Sequence, residues 1–292
     1  MNFAQGAFKQ PQALQVLAYF LARGQRLDFV LNLDGFNDVA LLSLNVENGI
    51  DPSQPSAQQL LPLMSLLDRD ALSPEQIETF ARAKRAERWM RSIEHRMDQA
   101  RSAGLWLVLQ VLWHGVARSH GTASDEIATG ATATGQQLLH VNEWPRSSTP
   151  EASMDTIAST WMRSSLLMRD MLCASDIPYL HVVQPNQYFS RKRFPDAERQ
   201  VAIRADSPYA NGVRLGYPYL RDRIPALRSR GVSVVSAIDV FDDIEEVVYA
   251  DDCCHVNQLG NEVLARFIGD HMMRITSSGE WREACRAVQP GP

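Results

Sequence analysis

The clearest catalytic pattern in the sequence lies near the carboxyl terminus, where Asp252 precedes His255 by three residues. On a turn, this spacing lets a carboxylate reach the imidazole Nδ1, fix the tautomer and stabilise the imidazolium, which leaves Nε2 as a general base. Asp-x-x-His is common by chance, so it indicates this chemistry only together with other residues. Zinc would need four convergent ligands, and no Cys-x-x-Cys cluster accompanies Asp252-Cys253-Cys254-His255, so we expect no metal.

A second polar pattern, Gly35-Phe36-Asn37-Asp38, follows a short apolar stretch at residues 29–33. In open parallel sheets, ligands bind outside the carboxyl ends of the strands, so a reactive polar group belongs at this place. An asparagine there can donate its side-chain NH2 to a developing oxyanion. A plain turn is the alternative interpretation, because Gly, Asn and Asp favour turns for backbone reasons.

The elements that must position these residues alternate between helices and short apolar strands. Apolar residues at helical spacing predict helices, and short apolar runs bounded by turn residues predict strands. This alternation is typical of a parallel α/β sheet within a single domain, 1–292. Residues 118–149 are low in complexity and are predicted to form a surface insertion or loop. The expected helices are 11–24, 74–104, 150–174, 218–230 and 260–273, and the expected strands are 29–33, 179–183 and 232–237.

The composition is that of a globular protein, with 45% hydrophobic and 22% charged residues. The formal charge of 29 − 34 = −5 argues against a general nucleic-acid binder, which needs a basic surface. No apolar run approaches the roughly 18 residues that cross a bilayer, and no signal peptide is visible. Four cysteines are too few for a disulfide scaffold, and they leave the redox state of Cys253 and Cys254 undecided.

Taken together and in this order, the motifs resemble those of the SGNH (GDSL-type) serine hydrolases. Gly35-Phe36-Asn37-Asp38 is similar to the third block of that family, and Asp252 with His255 is similar to the fifth. The segment 2–17 resembles the second block and the helix that follows it. The resemblance spans most of the chain, because it extends through residues 28–37, 184–188 and 254–261.

The resemblance implies a flavodoxin-like three-layer α/β/α fold with a parallel sheet, and a serine ester hydrolase or acyl transferase that uses no cofactor. The substrate implied is the ester of a lipid or of an acylated carbohydrate. The residues that it assigns to the site are Asp252 and His255 as triad acid and base, Asn37 and the main-chain N–H of Gly6 or Ala7 as oxyanion donors, and Gly35 and Asp38 as supports of the motif.

The first block of the family, Gly-Asp-Ser, carries the nucleophile on the first strand and is not found in this sequence. Ala205-Asp206-Ser207 is the nearest imitation, and Ser207 there is expected to be a helix cap. In a sheet of order 2-1-3-4-5, absence of the first strand would leave one edge of the strand at 29–33 unpaired. We therefore expect a sequence begun at an internal Met of a longer hydrolase, inactive as written, whose upstream segment could carry a signal or anchor.

Two alternatives stay open from the sequence. A non-catalytic relative would retain a cleft for an ester or a glycan without turnover. An unrelated flavodoxin-like nucleotide binder is the other, although the sequence has no Gly-rich phosphate loop. The expected partners are a small-molecule, glycan or lipid ester and no nucleic acid, while compartment and oligomeric state are left open.

Overall fold

The computed structural model describes residues 2–41, 45–46, 48–57, 59–60, 74–100, 102–130 and 149–288. The chain divides into two compact units, the first made of residues 1–56 with 142–292 and the second of residues 57–141. The expectation of one domain over 1–292 stays a prediction.

The first unit contains the sheet and most of the helices. Its elements in chain order are α1 (Gln12–Ala22), β1 (Val30–Asp34), α2 (Phe36–Ala40), α5 (Pro150–Ala174), β2 (Tyr179–Val183), α6 (Asp196–Ala202), α7 (Ala210–Ser229), β3 (Val234–Ser236), α8 (Gln258–Ser278) and α9 (Glu280–Val288). The second unit contains α3 (Pro74–Asp98) and α4 (Ala103–Gly130), which are linked to each other by a hydrogen bond from Trp113 Nε1 to Glu94 Oε1 of 2.9 Å.

The sheet has three parallel strands in the order β1-β2-β3. The α/β class with a parallel sheet, expected from the alternation of elements, is therefore confirmed. Parallel neighbours require long crossovers, which the helices between the strands supply. All three strands end at one edge of the sheet, which we call the carboxyl edge.

Helices cover both faces of the sheet. On one face, a core that includes Trp161 of α5 and Leu220 of α7 packs with Tyr179 and Val183 of β2. On the other face, Leu180 and Val182 pack with α8. Alternate residues of β2 therefore enter two different cores, which explains why every residue of this strand is buried.

Strand β1 lies at the edge of the sheet and pairs with β2 alone among the described residues. Val30 N donates to Pro178 O (3.0 Å), so the main-chain groups of alternate residues from Val30 onward point toward β2. The main-chain groups of Leu31 and Leu33 consequently point away from β2. Their side chains are also 40% and 37% exposed, so this strand presents both an unpaired edge and apolar groups to solvent.

Two departures from the sequence prediction concern α4 and α7. Residues 118–130, predicted as part of an insertion or loop, continue α4 as helix, and residues 131–148 of that prediction lie outside the described ones. Its few glycines were therefore a poor sign of a loop, since each costs a helix only about 1 kcal/mol relative to Ala. Helix α7 begins eight residues before the predicted start and includes Pro218 and Pro225 in its interior.

Close packing explains the early start of α7. Any Cβ on Gly212 would lie 2.7 Å from Val39 O, and one on Gly216 would lie 2.4 Å from Val39 Cγ1. These two glycines let α7 approach α2 closely, and the tertiary contact outweighs their low helix propensity.

A disulfide between Cys173 and Cys285 joins the end of α5 to α9, which the sequence did not predict as a helix. Among the described residues, no helix is both long enough and apolar enough to span a membrane.

Candidate functional site

The polar segment after β1 is held at the carboxyl edge by a glycine and a buried carboxylate. Gly35 adopts φ = +113°, a conformation that favours glycine, and turns the chain from β1 into α2. Asp38 accepts hydrogen bonds from Gly35 N (3.0 Å) and from Gln10 N (2.7 Å). Asp38 thereby caps α2 and ties the amino-terminal loop to it.

The buried environment of Asp38 changes its acidity. Burial raises the pKa of Asp38 to about 7, with a further contribution from the negative charge of Asp34, while the two main-chain donors and Lys9 oppose the increase. This carboxyl group is therefore placed where deprotonation is costly.

Asn37 and the loop that contains Gly6 and Ala7 lie together. Asn37 Nδ2 donates to Phe8 O at 2.8 Å, and Phe8 N donates to Gln5 O at 3.1 Å across the turn formed by Gly6 and Ala7. Ala7 has φ = +62°, an uncommon conformation for a residue with a side chain. One hydrogen of the Asn37 amide is occupied by this contact, and the other has no acceptor among the described residues.

His255 contacts a carboxylate, but it is the carboxylate of Asp251 and not that of Asp252. His255 Nδ1 lies 2.5 Å from Asp251 Oδ2, whereas Asp252 Oδ2 lies 3.9 Å from Arg204 Nε. The sequence-based assignment of Asp252 as the acid is corrected on this point.

The conformation of the loop explains why His255 contacts Asp251 and not Asp252. Asp251 Oδ1 accepts the main-chain N–H of Cys253 (2.9 Å), Cys254 (3.1 Å) and His255 (3.2 Å). The loop wraps around this one carboxylate, so the imidazole four residues later meets its second oxygen. The Asp252 carboxylate lies instead toward Arg204.

The same contacts change the pKa values of the pair. Burial raises the pKa of Asp251, but the hydrogen bonds from His255 and from the main chain outweigh it, and the pKa falls below its usual value. The hydrogen bond to Asp251, together with the charge of Cys254, raises the pKa of His255 above 6.5. A histidine with this partner can accept a proton at Nε2 while the carboxylate stabilises the cation.

Residues that follow β2 fix the His255 loop at the carboxyl edge. Asn186 Nδ2 donates to Cys253 O (2.8 Å), and Gln187 Nε2 donates to Asp251 O (3.0 Å). After the loop, Asn257 Oδ1 accepts from Gly260 N (3.0 Å) and caps α8. Asn37 therefore lies directly after β1, and the His255 loop is hydrogen-bonded to the segment that follows the neighbouring strand β2.

The two cysteines before His255 are in contact with each other, with Sγ atoms 3.2 Å apart. The hydrogen bond between them raises the pKa of Cys253 and lowers that of Cys254, which His255 lowers further. In the structure both are free thiols.

No serine hydroxyl in the described part of the chain is hydrogen-bonded to His255. Ser207, the nearest imitation of the nucleophile block, lies beside the His255 loop: its Oγ donates to Asp252 O (3.3 Å) and accepts from Tyr209 N (3.4 Å). Its hydroxyl therefore bonds the main chain just before α7, whose N-cap residue is Tyr209, so the expectation that Ser207 caps a helix is wrong.

A second Ser, His and Asp set lies inside the protein. Ser165 Oγ is 2.7 Å from His181 Nδ1, and His181 Nε2 is 2.7 Å from Asp34 Oδ1. Ser165 and His181 are fully buried, so no ester can reach this hydroxyl. Relative to a serine-protease triad, the two imidazole nitrogens have exchanged partners. The set is a structural hydrogen-bond network within the core.

Asp34 is the centre of that network. Its Oδ1 also accepts from Trp161 Nε1 (2.7 Å), and its Oδ2 accepts from Gln10 Nε2 (2.8 Å) and Asn32 Nδ2 (2.7 Å). Burial raises the pKa of Asp34, but the charge of His181 and these donors outweigh it, and the pKa lies below the usual value. The sequence held no sign of this role, because the partners are distant along the chain.

Comparisons with protein-family models, with curated proteins and with solved structures find no match for this chain. The resemblance to the SGNH hydrolases consequently depends on the motif residues themselves.

Proposed function

We propose that the carboxyl edge of the sheet is the acid–base half of an acyl-ester hydrolase or acyl transferase of SGNH type. The observation that carries this proposal is the contact of His255 Nδ1 with the Asp251 carboxylate, on the edge of the sheet that also holds Asn37. Triads recur on unrelated folds and are recognised by this kind of geometry rather than by sequence position.

In the proposed reaction, a serine hydroxyl attacks the ester carbonyl carbon while His255 Nε2 takes the hydroxyl proton. The Asp251 carboxylate stabilises the imidazolium that forms. The free hydrogen of the Asn37 amide donates to the tetrahedral oxyanion, as does a main-chain N–H of the Gly6 or Ala7 turn. Collapse of the intermediate returns the proton to the leaving alcohol, and water or an acceptor alcohol then releases the acyl group.

The serine is expected to come from a strand that pairs with the free edge of β1. The main-chain groups of Leu31 and Leu33 point to that edge and are unpaired among the described residues. A parallel strand added there would end at the carboxyl edge, beside α2 and the His255 loop. The coding sequence that precedes the Met1 codon is the first place to search for such a strand.

The test is hydrolysis of a p-nitrophenyl ester by the chain expressed with that preceding sequence. Asp251→Asn and Asp252→Asn form a matched pair, because only the first contacts His255. We expect Asp251→Asn to lower kcat by on the order of 10³- to 10⁴-fold, as removal of a triad carboxylate does, and Asp252→Asn to leave kcat nearly unchanged. His255→Ala should abolish turnover.

Labelling with a fluorophosphonate separates the remaining outcomes. A labelled serine outside the 292 residues supports the proposal, whereas a label on Ser207 would assign the nucleophile to this chain. Turnover that survives His255→Ala would refute the proposal. Ester binding without turnover in the longer protein would instead support the alternative of a non-catalytic binding protein.

A further inference from the structure

The Cys253, Cys254 and His255 side chains bring three metal-binding atoms together. The two Sγ atoms are 3.2 Å apart, and both sulfurs and a ring nitrogen of His255 all lie within 4.8 Å of one another. The thiols are partly buried and the imidazole is exposed, so a small ion has access to the group from solvent.

We propose that Cys253, Cys254 and His255 form a three-ligand binding site for a divalent cation of the zinc class, with water as the fourth ligand. Zinc binds thiolate sulfur at about 2.3 Å and imidazole nitrogen at about 2.0–2.1 Å in a tetrahedron, which requires ligand atoms about 3.5–3.8 Å apart. The two sulfurs must therefore separate by about half an ångström, and a ring nitrogen at the 4.8 Å limit must approach them by about 1 Å, to hold the ion.

The surrounding loop already holds the three ligands in place. The Asp251 carboxylate accepts the main-chain N–H of all three residues and contacts His255 Nδ1. Metal-binding histidines characteristically donate their other ring N–H to a carboxylate, which fixes the ring and increases its basicity. His255 Nε2 has no hydrogen-bond partner among the described residues and is the nitrogen that would bind the cation.

Disulfide formation between the two neighbours is the competing fate, and it requires a larger movement of the two sulfurs. Adjacent Cα atoms are about 3.8 Å apart across a trans peptide, which is below the roughly 4.4–6.8 Å that disulfides span. The sulfurs would also have to approach by more than about 1 Å to reach bonding distance.

The sequence-based expectation of no metal assumed a site with four protein ligands. A site with three protein ligands and water needs no second cysteine cluster. The inference also does not depend on esterase activity, although a cation on His255 Nε2 would block that atom as a base.

The experiment uses the full chain, freed of metal with a chelator and treated with phosphine only under conditions that leave the Cys173–Cys285 disulfide intact. Titration with Zn²⁺ by calorimetry should give one site per chain, and Co²⁺ should give a thiolate-to-cobalt charge-transfer band. We expect Cys254→Ser and His255→Ala to weaken Zn²⁺ binding at least about 100-fold, and Asp251→Asn to weaken it about 10- to 100-fold. The matched control is His95→Ala, an exposed histidine in α3, which should bind as the native protein does.

Three results would overturn the inference. These are no Zn²⁺ binding by the reduced native chain, Co²⁺ binding without the thiolate band, or a Cys254→Ser variant that binds as tightly as the native protein. If a variant does not fold, the stoichiometry and cobalt spectrum of the native chain decide alone. A mass lower by two hydrogens after oxidation, with binding lost and then restored by reduction, would support the same pair of ligands.

Discussion

Replacement of Asp34 by asparagine is the most direct test of the buried hydrogen-bond network around this carboxylate. The carboxylate receives two donors on each oxygen, and its side chain is only 10% exposed. Asparagine keeps one acceptor oxygen and puts an NH2 group in place of the other, so two donors lose their acceptor if the neighbouring side chains keep their present orientations and His181 its tautomer. Each buried donor left unsatisfied costs about 1–3 kcal/mol, so we expect Asp34→Asn to lower the free energy of unfolding by about 2–6 kcal/mol.

The assay is urea unfolding at pH 7, followed by circular dichroism. Asp176→Asn is the control, because this carboxylate pairs with Arg282 at the surface and its loss should change little. Since the pKa of Asp34 lies below its ordinary value of 3.8, its ionised form contributes stability above about pH 4 that is lost as the pH falls further. The gap between native protein and variant should narrow in that acidic range. A loss below about 1 kcal/mol at pH 7 would refute the network as a source of stability.

Two further predictions concern α2 and the helix packed on it. Because the pKa of Asp38 is raised to about 7, the native protein should lose stability as the pH rises from about 4 through 7, and Asp38→Asn should flatten this slope in urea midpoints measured at pH 5 and pH 8. Gly216→Ala would place a Cβ 2.4 Å from Val39 Cγ1 and should cost about 1–3 kcal/mol of unfolding free energy.

Controls for these predictions come from the same chain. Outside its own stretch of helix, a Cβ on Gly115 would meet no atom of the described residues within 4 Å, so Gly115→Ala should not destabilise α4 and should stabilise it by up to about 1 kcal/mol. An equal loss in Gly115→Ala and Gly216→Ala would contradict the packing argument. A pH slope that is identical in the native protein and Asp38→Asn would contradict the raised pKa of that carboxyl.

The sequence predicted the bounds of an element correctly where the segment itself contains the capping residues of a helix or the continuous apolar pattern of a buried strand. Helix α5 has the predicted bounds, because Thr149 caps it by accepting from Ala152 N and Pro150 occupies its first position. The strand at 179–183 has the predicted bounds as well. All but one of its residues are apolar or aromatic, which suits a strand that is buried on both faces.

Other features depend on contacts between residues, and the sequence patterns did not predict them. The start of α7 depends on the fit of Gly212 and Gly216 against α2, which no local pattern encodes. The partner of His255 is Asp251 because three main-chain donors converge on that carboxylate, and two neighbouring aspartates are indistinguishable by spacing alone. Ser165 and His181 meet Asp34 only because α5 packs over β1 and β2.

The free side of β1 has a consequence for the behaviour of the isolated chain in solution. The amide hydrogens of Leu31 and Leu33 should exchange with deuterium early, while the amide of Val30, bonded to Pro178 O, is protected. An exposed strand edge with leucine side chains beside it can also pair with the same edge of another copy of the chain. Concentrated samples should therefore self-associate through this strand, and a lysine in place of Leu31 should keep them monomeric.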